Sequence, residues 1–135
     1  MALIAMAVHD TKENKRSFFT QRTLDSIFET VYLTNTSLVI VDNDSCPETK
    51  FILEAFMKKI ENRVAIMEPI HKVITLDKNI GTAEAINLAW RYRRPGEHAI
   101  KMDNDVVIHS KNWIWEMDEA IRRDPSIGIC GLKLS

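Results

Sequence analysis

Short runs of apolar residues alternate along this chain with longer segments whose apolar residues recur every three or four positions. The runs occupy residues 2–8, 38–41, 73–76, 99–102 and 127–134. Continuous apolar runs of this length are typical of strands that are buried on both faces of a parallel sheet. We therefore expect five buried strands, the last of them interrupted by Gly131.

The intervening segments have the periodicity of amphipathic helices, in which positions i, i+3, i+4 and i+7 share one face. The apolar positions of four predicted helices are Leu24, Ile27, Phe28, Val31 and Tyr32; Leu53, Phe56, Met57 and Ile60; the segment 82–90; and Trp113, Met117, Ala120 and Ile121. Hydroxyl side chains at Ser45, Thr82 and Ser110 are placed to cap the last three of these helices.

The alternation of strands with helices predicts the fold class. Such an order favours right-handed crossovers and a mostly parallel sheet. A length of 135 residues suits one hydrophobic core. We expect an α/β fold, a Rossmann-like three-layer α/β/α sandwich that forms a single domain over residues 1–135.

Composition and charge exclude several classes of protein. The chain is 45% hydrophobic and 27% charged, as is ordinary for a soluble globular protein. A formal net charge of -1 argues against general nucleic-acid binding, which needs a basic face. Cys46 and Cys130 lack metal-ligand spacing, so we expect a reducing compartment, the cytoplasm. The apolar residues 1–8 are too short to span a bilayer and lack a basic leader, so no transmembrane segment is expected.

Polar clusters follow four of the predicted strands. They lie at residues 9–11, 42–44, 77–81 and 103–105. In an open α/β sheet, ligands bind beyond the carboxyl ends of the strands, where these clusters would meet. Turns and helix caps also favour Asp, Asn, Ser and Gly, and that need alone accounts for Asp44, Ser45 and Thr82. It accounts poorly for residues 103–105, which precede an apolar run rather than a helix start.

Asp103 and Asp105 are the strongest candidates for metal binding. Their i, i+2 spacing points both carboxylates to the same side of an extended chain. Two such oxygen donors suit a hard cation, Mg²⁺ or Mn²⁺, and particularly one that is shared with a phosphate ligand. The spacing therefore predicts a divalent metal site at the end of the fourth strand.

At this point the chain resembles the family 2 glycosyltransferases of the GT-A fold. The resemblance covers nearly the whole chain and rests on the order of several segments. These are the strand and loop at residues 7–11, the segment 39–45 (Val-Ile-Val-Asp-Asn-Asp-Ser), Asn79-Ile80-Gly81 with Ala85 and Asn87, the Asp-x-Asp motif in residues 102–105, and Trp113 with the segment 124–128. Asn43 stands where the family usually has a second Asp, and the first loop lacks the family's Tyr-Asn pair.

The resemblance implies a donor site for a nucleotide-diphosphate sugar, of uridine type. Asp42 and Asn43 would contact the base or ribose, and Asn79 and Gly81 would shape the loop beside the nucleotide. Asp103 would lie near ribose and metal, and Asp105 would hold Mn²⁺ or Mg²⁺. The remaining substrate-binding positions implied are His9, Thr11 and Asn104. The implied reaction is glycosyl transfer with inversion.

The family's acceptor-binding half, with its Asp or Glu general base, has no counterpart within these residues. Glu116, Asp118 and Glu119 lie on a helical pattern that predicts a solvated face, so the catalytic base stays unknown. The acceptor, whether glycan, lipid or protein, stays open, as does a homo-oligomeric state. An acidic residue near a strand end beyond Ser135 would favour an enzyme.

Two other hypotheses compete with this one. The first is a non-catalytic nucleotide-sugar-binding module that needs a partner chain for the acceptor site. The second is a haloacid-dehalogenase-like phosphotransferase with Asp103 as nucleophile, although its motif normally opens the domain. A calcium loop is excluded because Pro47 and Ile108 replace the required glycine at position 6 after Asp42 and Asp103. Phosphate-loop and dinucleotide-binding glycine patterns are also lacking.

Overall fold

A parallel sheet with helices on both faces forms the body of the protein. The computed structural model describes residues 1–64 and 69–133. Within these ranges four strands alternate with four helices in the order β1 (Ala2–Val8), α1 (Ser17–Thr30), β2 (Thr36–Asn43), α2 (Pro47–Glu61), β3 (His71–Leu76), α3 (Thr82–Trp90), β4 (His98–Met102) and α4 (Trp113–Arg123). No helix in these two ranges has both the length and the apolar character needed to cross a bilayer.

The strands are ordered β3-β2-β1-β4, and every pairing between them is parallel. In this register Val8 of β1 lies opposite Asp42 of β2, and Met6 lies opposite Met102 of β4. All four carboxyl ends therefore meet at one edge of the sheet. The α/β class is confirmed, and Asp42 and Asp103 lie at the same edge.

The sheet separates two apolar clusters because successive strand residues point to opposite faces. On one face Ile4, Met6 and Ile40 pack against α1, α2 and α4. On the other face Ala5 and Val39 pack against α3. The central strands β1 and β2 are buried on both sides, which explains their continuous apolar sequence.

The chain changes direction within the sheet between β1 and β4. From β1 to β3 it moves steadily to one side, and the connecting helices α1 and α2 lie on the same face. The connection from β3 to β4 carries α3 across the opposite face and past β2 and β1. Such a switch point opens a crevice at the carboxyl ends of the strands on either side of it.

The predicted fifth strand is wrong within the described residues. Residues 127–133 form no ladder with the sheet, and Leu134 lies outside the described residues. The segment runs beside α4 instead, where the Cys130 thiol lies 3.7 Å from the carbonyl oxygen of Met117. Ile129 and Leu132 are exposed, so the apolar run is not buried as a strand would bury it.

The helix starts also differ from prediction. The residues at the N-cap positions of α2, α3 and α4 are Cys46, Gly81 and Asn112, and none of them makes a side-chain capping bond. Ser45 instead accepts a hydrogen bond from Asp10 and donates one to Val8. The Ser45 hydroxyl therefore bonds to β1, which lies next to it in space, and does not cap α2.

Two residues that were predicted to face inward, Tyr32 and Ala120, are exposed.

The burial of β2 predicts that a truncation in this strand lowers stability much more than the same truncation at an exposed position. Ile40→Ala empties a fully buried position in the sheet centre and should lower the free energy of unfolding by about 2–5 kcal/mol. Ile129→Ala removes the same atoms from a side chain that is 93% exposed and should change it by no more than about 0.5 kcal/mol. Urea denaturation of both variants tests the assignment, and equal losses would contradict it.

Candidate functional site

A polar cleft of about 350 Å³ lies at the carboxyl edge of the sheet, where β1, β2 and β4 end. It is lined by Ala7, Val8, His9, Arg16, Asn43, Asn79, Gly81, Thr82, Asp103, Asn104 and Asp105. The cleft therefore gathers seven of the nine residues that the sequence indicated, from four separate segments. The two that do not line it are Thr11 and Asp42.

The carboxylates of Asp103 and Asp105 are both in this cleft, although residues 104–105 form a turn rather than an extended strand. Lys101 Nζ lies 2.6 Å from Asp103 Oδ1, and Arg16 donates to Asp105 Oδ2 at 2.9 Å. The two carboxylate side chains are 56% and 44% exposed. Ion pairs at such positions contribute about 0–1 kcal/mol, so an incoming cation or anion can separate them.

The side chain of Asn104, which lies between Asp103 and Asp105 in sequence, points into the protein interior. Its side-chain nitrogen donates to Asp10 Oδ1 at 3.0 Å and to Thr20 Oγ1 at 2.8 Å. The residue is 8% exposed, whereas the flanking carboxylates reach solvent. The middle residue of the motif is thus anchored in the protein and its two neighbours face the cleft.

Asn43 fastens the loop after β3 to the end of β2. Its side-chain nitrogen donates to the carbonyl of Gly81 at 3.1 Å, and its side-chain oxygen accepts the N–H of Ile80 at 2.8 Å. The ring Nδ1 of His9 lies 2.7 Å from the Asn43 carbonyl oxygen. These bonds fix three segments of the cleft wall relative to one another.

Gly81 ends that loop with φ of 86°, in the left-handed region that favours glycine. Its N–H donates to the side-chain oxygen of Asn79 at 2.9 Å. The conformation lets α3 begin at Thr82, directly at the cleft. Backbone without a side chain therefore borders the space where a ligand would approach.

Asp42 is buried and does not line the cleft. Its carboxylate accepts the N–H of Ser45 at 2.9 Å and pairs with Lys50 Nζ at 2.9 Å. The groove that it lines runs between α2 and β3. Thr11 is likewise engaged locally, since its backbone and hydroxyl exchange hydrogen bonds with Asn14 in the turn before α1.

Three residues at the site were not singled out from the sequence: Asp10, Arg16 and Lys101. Lys101 has a signal in the sequence, because a strand residue two positions before Asp103 points to the same side. Arg16 meets Asp105 across 89 positions, which no local pattern indicates. Asp10 lies in the first polar cluster, but its burial is a property of the tertiary structure.

Cys46 borders the same region from the start of α2. Burial raises the pKa of its thiol, but hydrogen bonds with the Thr49 backbone and with the Ser17 and Thr49 hydroxyls lower it. The net pKa lies below the usual value. The thiol does not line the cleft.

The donor set suits a divalent cation that is completed by its ligand. In residues 1–64 and 69–133, no three His, Cys, Asp or Glu side chains gather so as to hold a metal by themselves. Asp103 and Asp105 therefore offer at most a two-carboxylate site. Mg²⁺ is commonly held in this way, by one or two carboxylates together with substrate phosphates and water. The residues present fit such an ion.

Comparison with known proteins places this geometry in context. The model of glycosyl transferase family 2 matches residues 14–133. A mannosyltransferase from Pyrobaculum calidifontis, solved in complex with GDP-Man and Mn2+, has a similar structure, with a TM-score of 0.74 and 18% identity. The similarity covers 94% of this chain and 33% of that one.

The TarS protein of S. aureus is similar as well. Its 1–349 fragment gives a TM-score of 0.68 at 20% identity, over 100% of this chain and 39% of the fragment. A longer TarS structure gives 0.65 at 20% identity, over 98% and 23%. The chain thus spans well under half the length of these proteins. A comparison with curated protein sequences gave no match.

The role of Asn43 as a clamp is testable by stability. Asn43→Ala removes both bonds to the loop at residues 79–81 and should lower the free energy of unfolding by about 1–2 kcal/mol. Asn87→Ala, at an exposed position on α3, should change it by about 0.5 kcal/mol or less. Urea denaturation gives both values, and a neutral Asn43→Ala would show that the clamp carries no stability.

Proposed function

The chain belongs to glycosyl transferase family 2, and we propose that it is the donor-binding part of a glycosyltransferase. In this proposal it binds a nucleotide-diphosphate sugar together with Mn²⁺ or Mg²⁺, and the sugar passes to an acceptor with inversion. The acceptor is a glycan, a lipid or a protein. Because the chain spans 33% and 39% of two similar structures, the activity of the whole protein is part of the proposal.

The observation that carries the proposal is the cleft itself. Segments from four parts of the sequence place amide, imidazole and carboxylate groups around about 350 Å³ at the switch point of the sheet. That is where open α/β sheets bind ligands. The similar mannosyltransferase structure contains GDP-Man and Mn2+, which supports a nucleotide-sugar donor and a divalent ion for this fold.

Asp103 and Asp105 would hold the divalent cation. When bound, that ion neutralises the negative charge that develops on the departing nucleoside diphosphate. Their present partners are half-exposed cations, so the exchange costs little. Arg16, released from Asp105, would remain at the cleft and offer a planar guanidinium to the diphosphate.

The nucleoside would lie against the opposite wall. His9 and Asn79 present polar groups there, Asn43 holds the wall through its bonds to residues 80 and 81, and Gly81 allows close approach of the backbone. Asp42 and Thr11 do not line the cleft, and each is bonded to residues close to it in sequence, Asp42 to Ser45 and Thr11 to Asn14. Direct nucleoside contact is therefore assigned to the cleft-lining residues.

A second candidate function is a non-catalytic nucleotide-sugar-binding module that works with a partner chain. The observation that favours this second function is that the chain covers only 33% and 39% of two similar structures. The two functions differ in turnover. Measured on the whole protein in the presence of Mn²⁺, release of nucleoside diphosphate from GDP-mannose or a UDP-sugar supports the enzyme, whereas donor binding without release supports the module.

Binding of the nucleotide is the primary test. Titration calorimetry with GDP and with UDP, each with and without Mn²⁺, should detect binding that strengthens when Mn²⁺ is present. The base preferred identifies the donor type, since the family resemblance suggests uridine and the similar mannosyltransferase carries guanosine. Absence of heat with both nucleotides at millimolar concentration would contradict the proposal.

The metal site makes a sharper prediction. Asp105→Ala should weaken Mn²⁺-dependent nucleotide binding about tenfold or more and leave metal-free binding nearly unchanged. Asp103→Ala should weaken both, because Asp103 is proposed to lie near the ribose as well. Neither change should alter the free energy of unfolding by more than about 1 kcal/mol, since both carboxylates are half-exposed.

Asp77→Ala, an exposed change in the loop after β3, is the matched control and should alter none of these quantities. If the two motif residues serve only to shape the turn, their variants will melt at lower temperature and bind Mn²⁺ and nucleotide normally. Calorimetric affinity and melting temperature, measured together on all three variants, separate the two roles.

A further inference from the structure

A buried carboxylate lies directly behind the Asp103–Asp105 turn. Asp10, two residues after β1, is fully buried. Its Oδ2 accepts hydrogen bonds from the hydroxyls of Thr20 in α1 and Thr49 in α2. Its Oδ1 accepts from Asn104, 94 residues away in sequence. One carboxylate therefore joins the end of β1, two helices and the turn after β4.

The donors that surround this carboxylate are neutral. In the described part of the chain, the cations near the site are taken by other carboxylates: Arg16 by Asp105, Lys50 by Asp42 and Lys101 by Asp103. A neutral amide in the same place would turn its NH₂ group toward one of these donors, so only a carboxyl group offers an acceptor to both sides.

The backbone of Asp10 is fixed too. Its N–H donates to Ser45 Oγ at 3.1 Å, and its carbonyl accepts the N–H of Cys46 at 2.7 Å. The Asp10 carboxyl group is therefore an acceptor at a fixed position. The bond between Asp10 and Asn104 forms only when the Asn104 side chain is directed toward Asp10.

We propose that Asp10 is a positioning residue that draws the Asn104 amide inward and thereby presents the flanking carboxylates, Asp103 and Asp105, to the cleft. The inference deepens the proposed function, because those carboxylates are its metal-binding groups. It accounts for the contrast between the 8% exposed Asn104 and its 56% and 44% exposed neighbours. A residue in the loop after β1 therefore fixes the geometry of the Asp-x-Asp motif.

A merely structural role for Asp10 would affect stability and leave the turn alone, so the test needs a measurement on the turn itself. Backbone ¹⁵N order parameters of residues 103–105 provide it without any metal. We expect about 0.85 in the wild-type chain and a fall below about 0.6 in Asn104→Ala. Mn²⁺ affinity in the presence of GDP or UDP should fall about tenfold in the same variant.

Thr49→Val is the matched control. It removes another donor from the same carboxylate but does not touch the turn. Its melting temperature should fall, while its order parameters at residues 103–105 stay at the wild-type values. Unchanged order in Asn104→Ala, or an equal fall in Thr49→Val, would overturn the proposal.

Exchanging the two side chains gives a rescue test. Asn104→Asp alone replaces the donating amide by a second acceptor group at hydrogen-bonding distance from Asp10 and should disorder the turn. Adding Asp10→Asn restores one amide and one carboxylate, so order parameters should return to near the wild-type values. A double variant as disordered as Asn104→Asp alone would contradict the positioning role. If wild-type chain shows no Mn²⁺-dependent nucleotide binding, the proposed function fails, and the order parameters still decide this inference.

Discussion

Parallel pairing of four strands is the constraint from which the rest of this structure follows. Because β2, β1 and β4 all run in the same direction, the residues that end them are brought to one edge of the sheet. The two central strands are covered by helices on both faces, so their direction and register are strongly specified by burial. Polar residues at the ends of these strands, among them His9, Asn43 and Asp103, therefore line one cleft.

Polar side chains that are buried at that edge need hydrogen-bond partners, and the bonds that they make hold the site together. Asp10, Asp42 and Asn43 are buried at or near strand ends, and each is bonded to a neighbouring segment. A buried polar group left without partners costs about 1–3 kcal/mol, so these bonds fix the loops that they reach. The hydrogen bonds that offset the cost of burying these polar groups also make the cleft wall rigid.

The cleft surface is held differently from the layer behind it. Lys101 and Arg16 pair with the motif carboxylates at half-exposed positions, where ion pairs are weak and screened by salt. The layer beneath, from Asp10 to Asn104, is buried and held by hydrogen bonds. A ligand can therefore exchange the outer partners while the inner layer keeps the carboxylates in place. This separation of labile and fixed contacts is suited to a site that binds and releases a charged ligand.

The sequence by itself determined the four strands of the described sheet, the helices between them and the α/β class, because continuous burial and helical periodicity are local patterns. It also indicated Asp103, Asn79 and Asn43 through their positions after strands and through family resemblance. The tertiary structure alone decided which polar groups meet. Asp10 bonds to Asn104 and Arg16 to Asp105 across 94 and 89 positions, and Ser45 bonds to β1 instead of capping a helix. A hydrogen bond depends on distance in space, which local sequence does not encode; hydrophobic periodicity reports only the burial of each segment. For the same reason residues 127–133 carry an apolar pattern but form no strand in the described sheet.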